Sequence, residues 1–295
     1  MPSGVVFHLP GLARMRRLSS LAALSSALVL AFCPSAGGQT ASGPNPQPPS
    51  ERSFDALPDA PLPQPSDTSQ ANVKDGVTLR NTPVHILKDQ AAIWTSPVRV
   101  REHDLAVLFP LGLATTVAIT TDHQAMSSVV SQNASFNNLN VEASNGLLGG
   151  FIAAPVLIYG LGRIHDDDHA TETGILAGEA MVDSLVVDEV LKAISMRERP
   201  TVDNAKGKFF QSSVGLDSSF PSTHSIIAWS SAAVIASEYH GPMTKLIVYG
   251  LATAVSLTRV LGQQHFSSDV LVGSAVGWLV GRYVFRKHHR ESEVY

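Results

Sequence analysis

Three clusters of charged and polar residues, each beside an apolar run, lie between Lys192 and Asp269. They read Lys192-Ala-Ile-Ser-Met-Arg-Glu-Arg199-Pro200, Pro221-Ser222-Thr223-His224 and Thr258-Arg259-Val-Leu-Gly-Gln-Gln-His265-Phe-Ser-Ser-Asp269. Together they supply lysine, arginine, histidine and aspartate side chains, which are residue types that bind oxyanions and transfer protons. The interpretation of the whole chain begins from this segment.

The sequence around these clusters predicts an all-α fold. Strand patterns are weak, and from residue 105 onward six apolar pieces rich in Ala, Leu and Gly follow one another. Pro200 ends the third piece, and Gly241-Pro242 separates the fourth from the fifth. We therefore predict a six-helix core bundle. Its helices are expected at roughly 105–121, 146–162, 173–196, 224–239, 244–261 and 268–286.

An up-and-down bundle would bring the three clusters to one end. The end of the third helix, the start of the fourth, the end of the fifth and the start of the sixth all lie on the same side. Lys192 and Arg199 are seven residues apart and share a helix face, whereas Arg197 points away and is expected to be a solvated charge. We expect the other cationic side chains, a helix N-terminus and both histidines to form one phosphate site at that end.

The second and third clusters also suit proton transfer and nucleophilic attack. The first-turn N–H groups near Ser222 and Thr223 form an anion site, and His224 stands where it could protonate a leaving group. His265 and Asp269 are four residues apart, so Asp269 can accept the Nδ1–H of His265 and leave Nε2 as a nucleophile. Each cluster alone is also compatible with an ordinary helix end. Their convergence favours a catalytic site.

These motifs resemble the type 2 phosphatidic acid phosphatase superfamily, which includes bacterial acid phosphatases, lipid phosphate phosphatases and vanadium haloperoxidases. The family pattern has a Lys with six residues before Arg-Pro, then Pro-Ser-x-His, then Ser-Arg with five residues before His and three before Asp. The resemblance covers roughly residues 105–286 and keeps this order. Two positions differ, since Thr258 stands where the pattern has Ser and Thr223 where Gly is usual.

The resemblance implies a role for each residue. His265 would attack phosphorus and form a phosphohistidine, His224 would protonate the leaving alcohol and then activate water, and Asp269 would orient His265. The implied phosphate ligands are Lys192, Arg199, Ser222, Thr223 and Arg259. No metal or other cofactor is expected, because the cationic side chains would replace magnesium. The implied function is a phosphoric monoester hydrolase, with a lipid phosphate or a pyrophosphate among the candidate substrates.

A vanadate-dependent haloperoxidase on the same scaffold is the alternative, and vanadate would then be the cofactor. Such enzymes tend to be much longer than this chain of 295 residues. A non-enzymatic envelope bundle is a third hypothesis. The intact set of charged residues argues against it, since a relic would be expected to lose at least one charge.

One further cluster, His165-Asp166-Asp167-Asp168-His169, looks like a metal site. Acidic residues that precede a helix complement its dipole, so the cluster has a structural explanation. The topology also places it at the end of the bundle opposite the other three clusters. We therefore interpret it as a solvated loop.

The N-terminal region is predicted to export and tether the bundle. Arg14, Arg16 and Arg17 precede the apolar run 18–32, as in a secretory signal. Proline-rich sequence follows and is predicted to be disordered. The predicted divisions are a signal peptide (1–36), a Pro-rich disordered linker (37–80), a short N-terminal helix with its lead-in (81–104), the phosphatase-like helical domain (105–286) and a basic tail (287–295).

The net charge limits the possible partners of the protein, and the lengths of its apolar runs limit its possible location. The net charge of −4 does not suggest a nucleic-acid partner, and the single cysteine, Cys33, allows no internal disulfide. The expected partner is a phosphorylated small molecule or lipid, with membrane association. Most apolar runs are about 12–17 residues, against the roughly 20 of a membrane span. We therefore predict an exported protein of the periplasm or cell envelope, with an integral membrane protein as the alternative.

Overall fold

The computed structural model describes residues 77–211 and 213–289, and these residues are all-α. Seven α-helices, α1 to α7, lie in these ranges and are joined by loops and 3₁₀ turns. Their bounds are Thr82–Thr95, Leu105–Ser128, Ala134–His165, Asp168–Ser195, Thr223–Glu238, Pro242–Leu261 and Ser267–His288. The last six helices are the predicted six-helix core, which confirms the fold class. The predicted signal peptide, nearly all of the linker and most of the tail lie outside the described residues.

Local sequence signals account for several helix starts. Asn133 caps α3, because its Oδ1 accepts a hydrogen bond from the N–H of Phe136 at 3.0 Å. Asp167 caps α4 in the same way, with the N–H of Ala170 at 3.1 Å. Pro242 occupies the first position of α6, where its missing N–H has no partner to lose.

The largest difference from the prediction is the start of α3. An apolar run begins near residue 146, but the helix begins at Ala134. The additional turns are polar, and two of their residues, Asn140 and Ser144, are nonetheless buried. Apolar periodicity identifies the part of a helix that packs against apolar surroundings, whereas most residues of these turns are exposed.

The bundle is built around α5, of which 13 of 16 residues are buried. Gly273, Gly277 and Gly281 are spaced one turn apart on α7 and face this central helix. A Cβ at Gly277 or Gly281 would collide with the carbonyl oxygen of Ile226 or Ser230. The glycines therefore let the backbones of α5 and α7 approach closely, which fixes the starts of the two helices side by side.

Three outer helices carry most of the exposed apolar surface. Among the described residues, α2, α3 and α6 are long enough and apolar enough to cross a membrane. Phe109 on α2, Val156 on α3 and Leu246 on α6 are 73%, 70% and 67% exposed. The lengths of the uninterrupted apolar runs underestimated the lengths of these helices. A few polar residues interrupt an apolar run but do not end a helix of 20 to 32 residues. This surface supports membrane association and favours the membrane alternative over a bundle that does not span.

Candidate active site

The helix ends bring the three sequence clusters to one end of the bundle. Lys192 lies in the last turn of α4, Thr223 begins α5, Arg259 lies in the last turn of α6 and Asp269 lies in the first turn of α7. The Nζ of Lys192 donates a hydrogen bond to the Oγ1 of Thr223, which joins α4 to α5. The predicted convergence therefore rests on direct contact between elements.

His265 lies in the loop between α6 and α7 and is 3% exposed. Its Nδ1 is 2.7 Å from the carbonyl oxygen of Ser219. Because a carbonyl oxygen can only accept, Nδ1 carries the proton and Nε2 of the neutral ring is unprotonated. Burial lowers the pKa of His265, and the carboxylate of Asp269 opposes this shift. The ring is thus held in the form that a nitrogen nucleophile requires.

The predicted hydrogen bond between His265 and Asp269 is not formed. Their Nδ1 and Oδ2 atoms are 3.7 Å apart. Asp269 is the third residue of α7, and its Oδ2 bonds back to the N–H of Phe266 at 2.8 Å, as in a capping box. The same oxygen accepts from the hydroxyl of Ser219 at 2.5 Å. Asp269 therefore positions His265 indirectly, because it holds the residue whose carbonyl orients the ring.

Arg197 is 1% exposed, so the prediction of a solvated charge was wrong. Its guanidinium donates to Asp269 Oδ1 at 2.5 Å and to Asp122 Oδ2 at 2.9 Å. It also lies against the rings of Phe209 and Phe266, 4.6 and 4.2 Å from their centroids. Helical spacing misjudged this residue because α4 ends before it, and the following loop turns the side chain inward.

Thr223 completes a buried ion pair instead of leaving space for phosphate as Gly would. The Nζ of Lys192 lies 2.9 Å from Asp188 Oδ2, and the hydroxyl of Thr223 donates to that same oxygen at 2.7 Å. Lys192 is 7% exposed and Asp188 is fully buried. The lysine is therefore held in one position by a carboxylate and a hydroxyl.

The two predicted arginine ligands differ in burial. Arg259 is 6% exposed, and its Nη1 donates to the hydroxyl of Ser144 at 3.3 Å. Its Nε has no hydrogen-bond partner among the described residues. The side chain of Arg199 is 26% exposed, and its Nε and Nη2 lie 3.2 and 2.8 Å from Asp217 Oδ1. Arg259 thus has a donor to offer an oxyanion, whereas Arg199 must exchange Asp217 for one.

Two hydroxyl groups in the predicted motifs form hydrogen bonds with other protein groups. Ser222 is fully buried, its N–H donates to the carbonyl of Asp269 at 3.1 Å, and its Oγ accepts from Ser225 Oγ at 3.3 Å. The Oγ1 of Thr258 donates to the carbonyl of Ala254 at 2.7 Å. The structure therefore does not present Ser222 as a phosphate ligand. The first-turn N–H groups that follow it in α5 remain at the helix N-terminus, where an anion is favoured.

His224, the second residue of α5, reports the electrostatics of the whole site. Its Nε2 is 3.0 Å from the side-chain oxygen of Asn145 on α3. Burial and then nearby positive charge lower the pKa of His224 to about 3. The cations responsible, in decreasing order, are Arg259, Lys192 and Arg199. His224 is thus neutral at physiological pH until an anion offsets this charge.

Sequence reasoning missed three residues that support the site. Asn145 contacts His224, Ser219 orients His265, and Asp122 on α2 is a buried partner of the arginine described above. They lie outside the three clusters, so spacing could not reveal them. Only Asp122 gives a sequence signal, because an aspartate inside an otherwise apolar helix is rarely without a partner.

The acidic loop between α3 and α4 lies at the opposite end of the bundle, as the topology predicted. It is not purely solvated, however. Nε2 of His169 lies 2.5 Å from Oε1 of Glu238, which is near the end of α5 and 6% exposed. Together with the Asp167 cap, this contact gives the loop a structural role.

Comparison with known proteins locates the similarity in the second half of the chain. A 65-residue stretch is 37% identical to the lipid A 1-phosphatase of Porphyromonas gingivalis, and it covers 21% of this chain and 15% of that protein. The crystal structure of the first transmembrane PAP2 type phosphatidylglycerolphosphate phosphatase from Bacillus subtilis aligns over 72% of this chain and 98% of that chain, with 21% identity and a TM-score of 0.44. Residues 173–293 match the family model of the PAP2 superfamily, which leaves α2 and α3 outside the match. Over this segment the chain is similar to the PAP2 superfamily.

Proposed function

We propose that the protein is a membrane-associated phosphatase that hydrolyses a phosphate monoester through a phosphohistidine. The observation that carries the proposal is the state of His265. Its Nδ1 is bound to a carbonyl, which leaves Nε2 unprotonated in a buried site. Buried Lys192 and Arg259 and the N-terminus of α5 supply positive charge around it. This combination suits attack on a phosphoryl group and stabilisation of its oxygens.

The reaction proceeds in two displacements. Nε2 of His265 forms a bond to phosphorus while the bond from phosphorus to the leaving oxygen breaks, and His224 gives that oxygen a proton. A water molecule then attacks the phosphohistidine, His224 takes its proton, and inorganic phosphate leaves. Both histidines end in their starting states, so the cycle balances.

The low pKa of His224 links this cycle to substrate binding. A group with a pKa of about 3 is not protonated at neutral pH. A bound phosphate neutralises the arginine and lysine charges that cause much of this shift, so His224 gains proton affinity when substrate arrives. A phosphate monoanion can also bring the proton itself, since the second pKa of a phosphomonoester is about 6. His224 would then be charged only when it is needed.

The same residues support catalysis without a bound metal. Lys192, Arg199 and Arg259 supply three positive charges, and two of them are nearly fully buried. Such donors can hold a phosphoryl group and neutralise charge on its oxygens, as metal ions do in other phosphoryl-transfer enzymes. A metal-independent phosphatase is therefore our proposal.

A lipid phosphate is the substrate class that best suits the surroundings of the site. The apolar faces of α2, α3 and α6 would hold the bundle in a membrane with the site at one end. The partial relative from Porphyromonas gingivalis is a lipid A 1-phosphatase. We propose an exported envelope protein in which these three helices span the bilayer and present the site to lipid head groups.

The test uses protein purified in detergent. We expect it to hydrolyse an aryl phosphate and a short-chain phosphatidic acid in EDTA, and we expect His265→Ala to abolish both reactions. His123→Ala is the matched control, because Nδ1 of His123 lies 3.2 Å from the carbonyl oxygen of Ala205 and the residue has no role in the proposed mechanism. Full activity in His265→Ala would exclude the proposed nucleophile.

Vanadate separates the phosphatase from the haloperoxidase alternative. The cationic pocket that suits phosphate also suits vanadate, so both hypotheses predict binding. A phosphatase should be inhibited by micromolar vanadate and should not oxidise bromide with peroxide. Bromide oxidation that depends on vanadate, in a preparation with no phosphatase activity, would favour the alternative.

A further inference from the structure

A second buried cluster of charged residues lies where α1 packs against α4 and α7. Its carboxylates are Asp89 on α1 and Glu179 and Asp183 on α4, and they are 0%, 1% and 0% exposed. Two histidines complete it, His85 on α1 and His288 at the end of α7. We call these five residues the α1–α4–α7 cluster. Glu179 is thirteen residues from Lys192 along α4, about 20 Å from the proposed catalytic site.

The acidic groups of this cluster are incompletely satisfied. Asp89 pairs with the Nζ of Lys287 at 2.5 Å, and one oxygen of Asp183 accepts from Gln90 Nε2 at 2.7 Å. Neither oxygen of Glu179 has a hydrogen-bond partner among the described residues, nor has Oδ2 of Asp183. A buried carboxylate without such partners is costly, and burial raises the pKa of Glu179 to about 8 and that of Asp183 to about 7. Near neutral pH these oxygens therefore need either a proton or a cation.

The distances between donor atoms fit a bound ion. Oε1 of Glu179 lies 3.4 Å from Nε2 of His288, and its Oε2 lies 3.6 Å from Nδ1 of His85. Oδ2 of Asp89 lies 2.8 Å from Nε2 of His288. Zinc binds nitrogen and oxygen at about 2.0–2.2 Å, so tetrahedral ligands lie roughly 3.4 Å apart. Oε1 of Glu179 and Nε2 of His288 are thus already at the separation that one ion would impose, and the ligand atoms of His85, Glu179 and His288 all lie within 4.8 Å of one another.

Protonated histidines explain the arrangement less well. The rings of His85 and His288 are stacked, with centroids 4.4 Å apart and planes at 12°. Two imidazolium ions in this arrangement would repel each other at close range. If both rings are neutral, Lys287 is the remaining cation near three carboxylates. A divalent ion would balance the carboxylates while both rings stay neutral.

We propose that the α1–α4–α7 cluster binds one divalent transition-metal ion, such as Zn²⁺ or Mn²⁺. Glu179 is the central ligand, with His288, Asp89 and His85 as the others. Mixed imidazole and carboxylate ligands favour such ions over Mg²⁺, which prefers oxygen and water. Stacked rings cannot both aim at one ion, so His85 turns towards it on binding. The ion would fasten α1 to the bundle and would play no part in phosphoryl transfer.

The experiment measures metal in the full-length protein, purified in detergent without a histidine tag. The protein is stripped with EDTA, titrated with ZnCl₂ or MnCl₂ by calorimetry, and analysed for metal by mass spectrometry after gel filtration. We expect about one ion per chain, with Mg²⁺ at least tenfold weaker, and a higher Tm with the ion bound. Glu179→Gln should weaken binding by at least tenfold while it keeps the side-chain shape.

Controls separate this site from the proposed function. Glu142→Gln alters an exposed carboxylate on α3 and should bind metal as the unmodified protein does. His265→Ala should lose phosphatase activity and keep the ion, so either proposal can fail alone. His85→Gln provides a second variant if Glu179→Gln does not elute as a folded protein. No retained metal and no binding by 100 µM Zn²⁺ or Mn²⁺, or unchanged binding in both cluster variants, would overturn the proposal.

Discussion

Two buried charge clusters on the same helix, α4, have opposite signs. Near its C-terminus, Lys192 joins Arg259 and Arg199 around the histidines, and buried Arg259 has no carboxylate partner among the described residues. Near its middle, Glu179 and Asp183 join the carboxylate of Asp89. A buried excess of one sign is stable only when a ligand or a proton balances it. The comparison therefore predicts an anion at one cluster and a cation at the other.

The unsatisfied atoms of the two clusters lead to the same conclusion. At the catalytic end, both oxygens of Asp269 are hydrogen-bonded, and the unpartnered atoms include the Nε donor of Arg259 and Oδ1 of Asp188, whose Oδ2 pairs with Lys192. In the α1–α4–α7 cluster, the unpartnered atoms include both oxygens of Glu179. Buried Arg259 thus keeps a free donor for an oxyanion, whereas buried Glu179 offers two acceptors to a cation. Four experiments test this difference, in order of expected effect.

Replacement of Arg197 should have the largest effect on stability, because it removes the positive charge that balances two buried carboxylates at the catalytic end. Arg197→Met leaves the buried carboxylates of Asp122 and Asp269 without their cation. Loss of one partner from a buried ion pair costs about 3–5 kcal/mol, so we expect a marked fall in Tm and in unfolding free energy. Arg199→Met, at a more exposed ion pair, should change stability by less than about 1 kcal/mol. Equal stability of the two variants would refute the proposed role of Arg197.

Arg259 should matter more for catalysis than for stability. Removal of one donor to a developing oxyanion typically lowers kcat by about 10²–10³. We therefore expect Arg259→Ala to reduce kcat/KM to that extent. Arg259→Lys should recover part of the loss, because lysine restores the positive charge but not the paired donors of the guanidinium group. Glu179→Gln should leave kcat/KM nearly unchanged at a temperature where it is folded. A smaller loss in Arg259→Ala than in Glu179→Gln would contradict the assignment of the two clusters.

The sequence alone predicted part of the fold and part of the candidate site. Up-and-down topology predicted that Lys192, His224 and His265 lie at one end of the bundle, because it fixes which helix ends meet. The helix face predicted to be shared by Lys192 and Arg199 was wrong, since α4 ends at Ser195. Arg197 and Ser219 were missed because they lie in the loop between α4 and α5, where no periodicity predicts direction. His265 bonds to a carbonyl because the carboxylate of Asp269 is used to cap α7. The four-residue spacing is the same whether Asp269 caps the helix or contacts His265, so the sequence could not distinguish the two. The α1–α4–α7 cluster joins segments about 200 positions apart in the sequence.

The titration of His224 reports its burial and the positive charge around it. The folded-state pKa of about 3 lies below the unfolded value of roughly 6.5, so the unfolded chain binds the proton first. The stability associated with this group is full above about pH 6.5 and is lost as the pH falls towards 3. In NMR spectra of labelled histidine, assigned with His224→Gln, we expect His224 to stay neutral at pH 6 and to gain proton affinity when phosphate is added. Protonation at pH 6 without phosphate would contradict the proposed electrostatics.

The smallest effect is expected for substitution of Asp217, which forms an ion pair with Arg199 in the absence of substrate. The side chain of Asp217 is 81% exposed, so its ion pair is worth at most about 1 kcal/mol. Asp217→Asn should therefore lower KM by up to about fivefold, with kcat unchanged, because Arg199 becomes free to meet phosphate. A raised KM would indicate that Asp217 orients Arg199 for the substrate instead of competing with it.

The central claim is that Nε2 of His265 becomes covalently bonded to phosphorus. The direct measurement is to trap the intermediate in His224→Gln by mixing with a ³²P-labelled nitrophenyl phosphate and quenching in alkali. Nitrophenolate leaves without a proton from His224, so the intermediate still forms while water activation is slowed. We predict an acid-labile, alkali-stable label, located by peptide mass spectrometry on His265 and absent from the double variant with His265→Ala. Label on any other residue, or rapid turnover with no labelled protein in a burst experiment, would contradict the account.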